Sequence, residues 1–330
     1  MPQTLRAAVV QAGSLMFDTP GTLRKAVALA EDAAARQARL IVFPEAFIGG
    51  YPKGLDFGSV IGGRTPAGRE DYRRYADSAI AVPGPETEVL AATAQRLGVH
   101  IVIGVIEKDG ATLYCTALFF GPTGHLLGKH RKLMPTAGER LIWGYGDGST
   151  LPVFDTDIGR LGAVICWENY MPAMRMAMYA KGIQLYCAPT ADNRPSWAPS
   201  MQHIAVEGRC FVLSACQYLV RADCPADYAA VQGNDPATVL MTGGSCIVNP
   251  FGEFLAGPVF DRNDILIADI DLAEITRGKY DFDATGHYAR PDIFRLTVNE
   301  SHTPAVEFRP HDVTPPTPPL ATSTLTPDTP

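Results

Sequence analysis

Short, nearly uninterrupted apolar runs alternate along this chain with longer segments in which apolar residues recur every three or four positions. The first run, residues 5–12, reads as a buried strand. Residues 22–36 read as a helix with Thr22 as a candidate N-cap, and residues 40–43 as a second buried strand. That opening is a β-α-β unit. A further helix is predicted over 87–97, after the turn residues Pro83-Gly84-Pro85. Strands over 100–108 and 112–120 then flank Asp109-Gly110, a strong two-residue hairpin signal. The second half repeats this texture. A strand-like stretch at 125–127 is followed by a hairpin around residues 157–160 and a strand that ends at Cys166. Beyond it come a helix over 172–181, a strand over 183–187, a helix over 197–208 and a strand over 210–217. Parallel and antiparallel pairing must mix, and the order predicts an α/β protein whose two sheets, or one mixed sheet, are covered by helices.

The composition narrows the class. A chain of 330 residues with 46% hydrophobic content buries a large core. Its net charge is −7, and its longest basic cluster is His130-Arg131-Lys132, so no broad electrostatic footprint for nucleic acid exists. No apolar stretch approaches the roughly 20 residues that span a bilayer, and the first residues lack the charged and apolar regions of a secretory signal, which predicts a cytoplasmic protein with no membrane partner. The seven cysteines are odd in number and scattered, a poor disulfide framework, and reduced thiols are expected. Cys210, Cys216 and Cys224 with His203 nearby lack the spacing of a structural zinc site. The glycines of Gly144-Tyr-Gly146-Asp-Gly148 do not form a dinucleotide fingerprint, and Gly128-Lys129 lacks the rest of a phosphate loop, so neither a metal nor an organic cofactor is implied. Residues 311–330 are dominated by proline and threonine and cannot build a core. The division expected is therefore a folded domain over 1–299 and a disordered tail over 300–330.

Three segments carry the chemistry. Cys166 closes an apolar strand and precedes polar and turn residues, where a rigid element can fix a nucleophile and fresh backbone N–H groups face it. Read alone, the same pattern describes a buried core cysteine. Glu45 follows Ile41-Val42-Phe43-Pro44 and precedes a glycine-rich loop, so its carboxylate is expected in an apolar pocket that would raise its pKa, although an exposed loop carboxylate fits the same string. Lys132 lies in the basic segment 128–136, after the strand-like stretch 125–127, a string that a solvated basic turn fits equally well. A thiol, a carboxylate and an ammonium are the groups that addition to a carbon–nitrogen bond demands: a nucleophile, a proton-transfer agent and a cation for developing negative charge. His203 and Glu207, one helical turn apart, are read as structural, and the trio leaves no proton-transfer task for His130 or His287.

Phe43-Pro44-Glu45, His130-Arg131-Lys132-Leu133 and Cys166-Trp167-Glu168-Asn169, in that order, resemble the Glu-Lys-Cys signature of the nitrilase superfamily of carbon–nitrogen hydrolases, a likeness that extends from Leu5 to about Asn299. The segments 49–54, 135–148, 188–192 and 280–292 look like motifs of the nitrilase branch. The resemblance implies a four-layer α-β-β-α sandwich. It also implies Cys166 as nucleophile, Glu45 as general base, Lys132 as the stabiliser of tetrahedral intermediates, and Glu139 as a carboxylate that orients Lys132 and assists proton transfer. Trp167 would offer its backbone N–H to the developing charge, and Tyr51, Thr136, Trp143, Asn193 and Trp197 would shape the pocket. The substrates implied are an organic nitrile and water, with carboxylic acid and ammonia as products and some amide where the thiol leaves before ammonia. Cyanide degradation or amide hydrolysis on the same trio are the alternatives within the superfamily, and a non-catalytic scaffold is the alternative outside catalysis. Relatives of this type build dimers through a helical face, often extended into spirals, so a homo-oligomer is expected.

Overall fold

The computed structural model describes residues 4–304 and 306–307. Among the described residues the helices are α1 (Thr19–Ala35), α2 (Pro66–Ser78), α3 (Pro85–Leu97), α4 (Pro172–Ala180), α5 (Trp197–Gly208) and α6 (Ala273–Asp281). The strands of the first half are β1 (Thr4–Gln11), β2 (Leu40–Val42), β3 (Ser59–Val60), β4 (Gly63–Arg64), β5 (His100–Asp109), β6 (Thr112–Phe120) and β7 (Leu126–Arg131). Those of the second half are β8 (Val153–Thr156), β9 (Gly159–Ala163), β10 (Leu185–Thr190), β11 (Phe211–Cys216), β12 (Tyr218–Val220), β13 (Val239–Val248), β14 (Phe254–Phe260) and β15 (Asp264–Asp271). One sheet has the order β15-β1-β2-β5-β6-β7. The other has the order β12-β13-β11-β10-β9-β8, with β14 beside β13. Parallel pairs (β1 with β2, β2 with β5, β9 with β10, β10 with β11) sit at the centres, and antiparallel pairs extend the sheets outward.

The layers follow from the two-residue period of the strands. Along β1, Ala7 and Val9 face the second sheet, where they join Leu161, Ala163, Leu185, Cys187 and Leu213 in one cluster. The alternate residues Ala8 and Val10 face outward and pack under Ala26, Ala30 and Ala33 of α1 and Leu90 and Ala94 of α3. Because both faces are covered, the strand reads as a continuous apolar run. On the far side, Tyr186, Ala188 and Val212 pack under Met174 and Met178 of α4 and Met201 and Ile204 of α5. The molecule is thus the α-β-β-α sandwich expected.

Several local expectations shift. Helix α1 begins at Thr19, not Thr22: the Asp18 carboxylate accepts the Gly21 N–H at 2.9 Å and Pro20 occupies the first turn, while the Thr22 hydroxyl donates to the Leu15 carbonyl. The segment 128–136 is not a turn throughout, since β7 runs from Leu126 to Arg131 against β6. Lys129 and Arg131 leave one face for Glu107, and His130 points the other way into the interior. Strand β10 starts two residues later than 183 and continues through Pro189, opposite Ala215, to Thr190. Strand β9 stops at Ala163, and Cys166 opens a 3-10 turn rather than ending the strand. Helix α2 was not foreseen: only Gly68, Tyr75 and Ser78 are buried along it, so it carries no apolar stripe to read.

The expected tail lies mostly outside the described residues. Its first part, beginning at Glu300, is seated on the body: Glu300 pairs with Lys181, and the Thr303 N–H donates to Asp147 at 2.8 Å. Among the described residues no helix is long and apolar enough to cross a membrane.

Candidate active site

The site assembles where the C-terminal ends of β2 and β9 meet the start of the loop after β7. Glu45 lies three residues beyond the end of β2. Its segment is clamped to β5, with the Gly104 N–H donating to the Pro44 carbonyl at 3.1 Å and the Phe47 N–H donating to the Gly104 carbonyl at 2.8 Å. Gly104 is required there, because a Cβ would come within 2.4 Å of the Pro44 oxygen and 2.6 Å of the Glu45 Cα. Lys132 follows β7, and its backbone N–H donates to the Cys115 carbonyl on β6 at 2.8 Å. Cys166 has φ +50°, a left-handed conformation that a non-glycine residue adopts only when its surroundings enforce it. The enforcing group is Asn169, whose side-chain amide donates to the carbonyls of both Val164 and Cys166, at 2.9 and 2.8 Å.

Glu45, Lys132 and Glu139 form one buried chain. Lys132 Nζ donates to Glu45 Oε1 at 2.7 Å and to Glu139 Oε2 at 2.7 Å. The other oxygen of Glu139 accepts the Tyr51 hydroxyl at 2.7 Å, and the Thr136 N–H donates to Oε2 at 2.6 Å. Glu45 Oε1 also accepts the Cys115 thiol, with a sulfur–oxygen distance of 3.4 Å, while Glu45 Oε2 is buried with no hydrogen-bond partner. Cys166 Sγ accepts the Thr190 hydroxyl at 3.2 Å.

The charges follow from this arrangement. Burial pushes the Glu45 carboxyl above its ordinary range, a push that Glu139 reinforces and Lys132 only partly offsets. Burial alone would lower Lys132, but the carboxylates around it hold it well above its ordinary value, so it stays an ammonium. Burial, with Glu45 beside it, pushes the Cys166 thiol up, so the resting group is a thiol and not a thiolate. Burial and Glu139 likewise keep Tyr51 a phenol. A protonated nucleophile, a carboxylate with a raised proton affinity and one free oxygen, and a fixed cation can together add a thiol to an unsaturated carbon and carry protons in both directions.

A cavity of about 230 Å³ opens onto this cluster and is lined by Cys166, Glu139, Tyr51, Thr136, Trp167 and Asn193, together with Lys53, Ala191, Asp192 and Arg194. Glu45 and Lys132 lie behind that lining, fully buried. A neighbouring cavity of about 570 Å³ shares Tyr51, Lys53, Thr136 and Glu139 and continues past Leu55 and Phe57. Trp143 does not line the reaction cavity. Its indole N–H donates to Tyr75 at 3.1 Å, and its ring packs edge-on beneath Tyr51, with Lys132 Nζ 5.4 Å from its centroid. Trp197 is also core, its indole N–H donating to Ser214 at 2.8 Å. Sequence reasoning passed over Cys115, Lys53, Thr190, Asp192 and Arg194. The last two form a rim: Arg194 pairs with Asp192 at 2.5 Å and stacks over Trp167, whose indole N–H donates to Asp192 at 2.8 Å. The motif 188–192 was the available signal for two of them. His203 and Glu207 stand 3.6 Å apart on the surface of α5, and Glu207 is engaged by Arg175 and Tyr179. His287 is exposed against Tyr288.

Comparison with known proteins gives the family and the fold. The carbon–nitrogen hydrolase family model matches residues 6–280. A nitrilase of Bradyrhizobium diazoefficiens is 61% identical over 305 residues, which cover 92% of this chain and 95% of that protein. A bifunctional nitrilase/nitrile hydratase of Lupinus angustifolius is 56% identical over 310 residues, covering 92% and 89%. Among solved structures, a carbon–nitrogen hydrolase from Helicobacter pylori superposes with a TM-score of 0.69 at 20% identity over 88% of this chain and 97% of that one, a likeness of fold.

Proposed function

This chain belongs to the nitrilase branch of the carbon–nitrogen hydrolases, and on that premise we propose that its buried Glu45–Lys132–Cys166 cluster, assisted by Glu139, hydrolyses an organic nitrile to the carboxylic acid and ammonia. The observation that carries the reading is the chain of 2.7 Å contacts through Lys132 behind a cavity that Cys166 lines.

The steps follow from the groups. The Cys166 sulfur bonds to the nitrile carbon as its proton passes to Glu45 and on to the nitrile nitrogen, giving a thioimidate. Lys132 and the Trp167 backbone N–H face the charge that develops. A water gives its proton to Glu45 and its oxygen to the same carbon. Glu45 returns that proton to the nitrogen, and as the carbon–nitrogen bond breaks the hydroxyl of the tetrahedral carbon gives its proton, through Glu45, to the departing nitrogen, so that ammonia leaves and a thioester carbonyl remains. A second water repeats the attack, the carbon–sulfur bond breaks, and acid and free thiol are released. One nitrile and two waters give one acid and one ammonia. If the first tetrahedral carbon expels the sulfur instead, the product is the amide. The bifunctional name of the lupin relative, 56% identical, supports looking for that branch here. Glu139 positions Lys132 and is itself held by Tyr51 and Thr136. Tyr51, Thr136, Trp167 and Asn193 shape the reaction cavity, and Trp143 acts from beneath.

The unassigned surroundings of the reading are a cytoplasmic setting and a homo-oligomer. The first is supported by the seven free, buried thiols. The second is supported by the exposed apolar residues Tyr280, Tyr288, Ile293 and Phe294 near the C-terminal end of the described chain, and sedimentation would test it.

The functional test is acid, amide and ammonia release from a panel of aliphatic, aromatic and arylacetic nitriles, cyanide and simple amides. Acid from nitriles, reduced by at least about 10³-fold in Cys166→Ala, is the expected result. Turnover confined to amides or cyanide would move the enzyme to another substrate class of the superfamily.

A further inference from the structure

The mechanism leaves one buried charged pair without work. Glu168, two residues after Cys166, has no solvent-exposed side-chain surface. Its Oε1 accepts the Leu133 N–H at 2.5 Å, and its Oε2 accepts the Ile165 N–H at 2.8 Å. Leu133 follows Lys132 directly and Ile165 precedes Cys166 directly. A single carboxylate thus ties the backbone of the cation to the backbone of the nucleophile, across two different sheets.

The third contact of Glu168 is His130 on β7, with Nε2 2.9 Å from Oε2. The other ring nitrogen, Nδ1, is 2.5 Å from the Thr150 carbonyl. A carbonyl only accepts, so Nδ1 carries a hydrogen. Both oxygens of Glu168 already accept backbone N–H groups, an environment that favours the ionised carboxylate, so Nε2 must donate as well. His130 is then an imidazolium, fully buried. Of the groups facing the pair, the Thr150 carbonyl comes from the turn before β8, and Tyr186 of β10, kept a phenol by its burial, also feels the charge of Glu168. The flanking cations Lys129 and Arg131 point to the opposite face, onto Glu107. Burial alone would lower His130, but the charge and hydrogen bond of Glu168 raise it. Glu168 is held below its ordinary range by His130 and the two N–H groups against its own burial.

We propose that His130 and Glu168 are positioning residues for the hydrolysis: the imidazolium donates to Glu168 and to the Thr150 carbonyl at once and neutralises the buried carboxylate, which holds Lys132 and Cys166 in register, so that loss of the His130 proton leaves one of the two acceptors unserved and the anion uncompensated, and slackens the site. The proposal rests on the roles given above to Lys132 and Cys166. Neither residue lines the reaction cavity. Its consequence is an alkaline limb in kcat that belongs to His130, with little effect on KM, because the cavity lining is not involved.

The test is the pH profile of kcat and KM for His130→Gln, whose amide can still donate to Glu168 but cannot titrate. Folding is checked by circular dichroism. The expected result is a kcat lower by about tenfold at neutral pH, KM within about twofold of the parent, and an alkaline limb that has vanished. A folded variant that keeps the parent's alkaline limb overturns the proposal, even if kcat is reduced. If the variant does not fold, the unsubstituted enzyme decides. With histidine labelled by carbon-13, one ring signal must stay imidazolium well above the ordinary histidine pKa of about 6.5 and convert over the pH range in which kcat falls. Titration of every histidine at or below that ordinary value overturns the proposal. Absence of any nitrile turnover would instead sink the functional reading, while the histidine signal would still report on the pair.

Discussion

Two buried thiols sit within reach of Glu45, and the difference between them shows how residue type alone underdetermines a site. Cys115 donates to Glu45 Oε1 and is sealed within β6, whereas Cys166 lines the cavity with its backbone held at positive φ. Cys115 is therefore a donor to the base and Cys166 the group that can meet substrate. Replacing Cys115 by alanine removes a hydrogen bond that favours the ionised Glu45, so the Glu45 pKa, already raised by burial, rises further. The acid limb of kcat/KM, which lies above the ordinary glutamate value of about 4.3, is expected to move to higher pH, with plateau turnover within about tenfold of the parent. Cys115→Ser should leave the limb near its original place, and a limb unmoved in both variants would refute this role for Cys115. Glu45 and Cys166 stand out in the sequence because each breaks an apolar run, and Lys132 because it closes the longest basic cluster of the chain. Cys115 does not, because a cysteine inside an alternating strand carries no mark that separates it from core. Trp143 was misplaced for a similar reason: an aromatic residue near a motif does not reveal whether its ring or only its underside meets the pocket.

At the scale of elements, the site depends on how closely β5 backs the segment that carries Glu45. A methyl group at Gly104 would meet the backbone on both sides of Glu45 at 2.4–2.6 Å, so the segment must move. Gly104→Ala is expected to lower kcat by at least about tenfold and to lower the melting temperature as well, because positioning errors near an ångström are costly in rate. Unchanged kcat in the folded variant would show that Glu45 tolerates the shift. The helices and strands with clean periodicity were read to within a few residues, among them the hairpin of β5 and β6, where Ile101 pairs with Phe120 and Asp109 with Thr112. Boundaries failed where side chains rather than periodicity set them. Asp18 captured the start of α1, and the ion pairs of Lys129 and Arg131 with Glu107 let a charged segment continue as β7. The turn that begins at Cys166 is capped from within, by Asn169 and Glu168, a device that strand periodicity does not register.

Across the whole molecule, the two sheets meet in one apolar layer, and the polar cluster lies at its edge, with Glu45 and Lys132 supplied by one sheet and Cys166 by the other. Holding the sheets together is therefore part of the chemistry, and the buried ion pair between them gives stability a pH dependence. His130, raised in the folded state, contributes stability that is full below the ordinary histidine value of about 6.5 and is lost as pH climbs through its folded pKa. Glu168, lowered, contributes stability that is full above about 4.3 and is lost as pH falls through its folded pKa. Thermal unfolding should accordingly show a plateau between about 4.3 and 6.5 with an alkaline shoulder above it, and His130→Gln should flatten that shoulder; an identical shoulder in both proteins would exclude the pair as its source. The four layers were legible from the order of strands and helices, but the sharing of the site between sheets was not, since residues 45, 132 and 166 converge only through tertiary contact. The most direct measurement of the central claim is the mass of the intact enzyme quenched during turnover of a nitrile it accepts, followed by peptide mapping. The mechanism predicts an added acyl or imidoyl mass on the peptide that carries Cys166, absent from Cys166→Ala. An adduct on Cys115, or undiminished acid formation by Cys166→Ala, would contradict it.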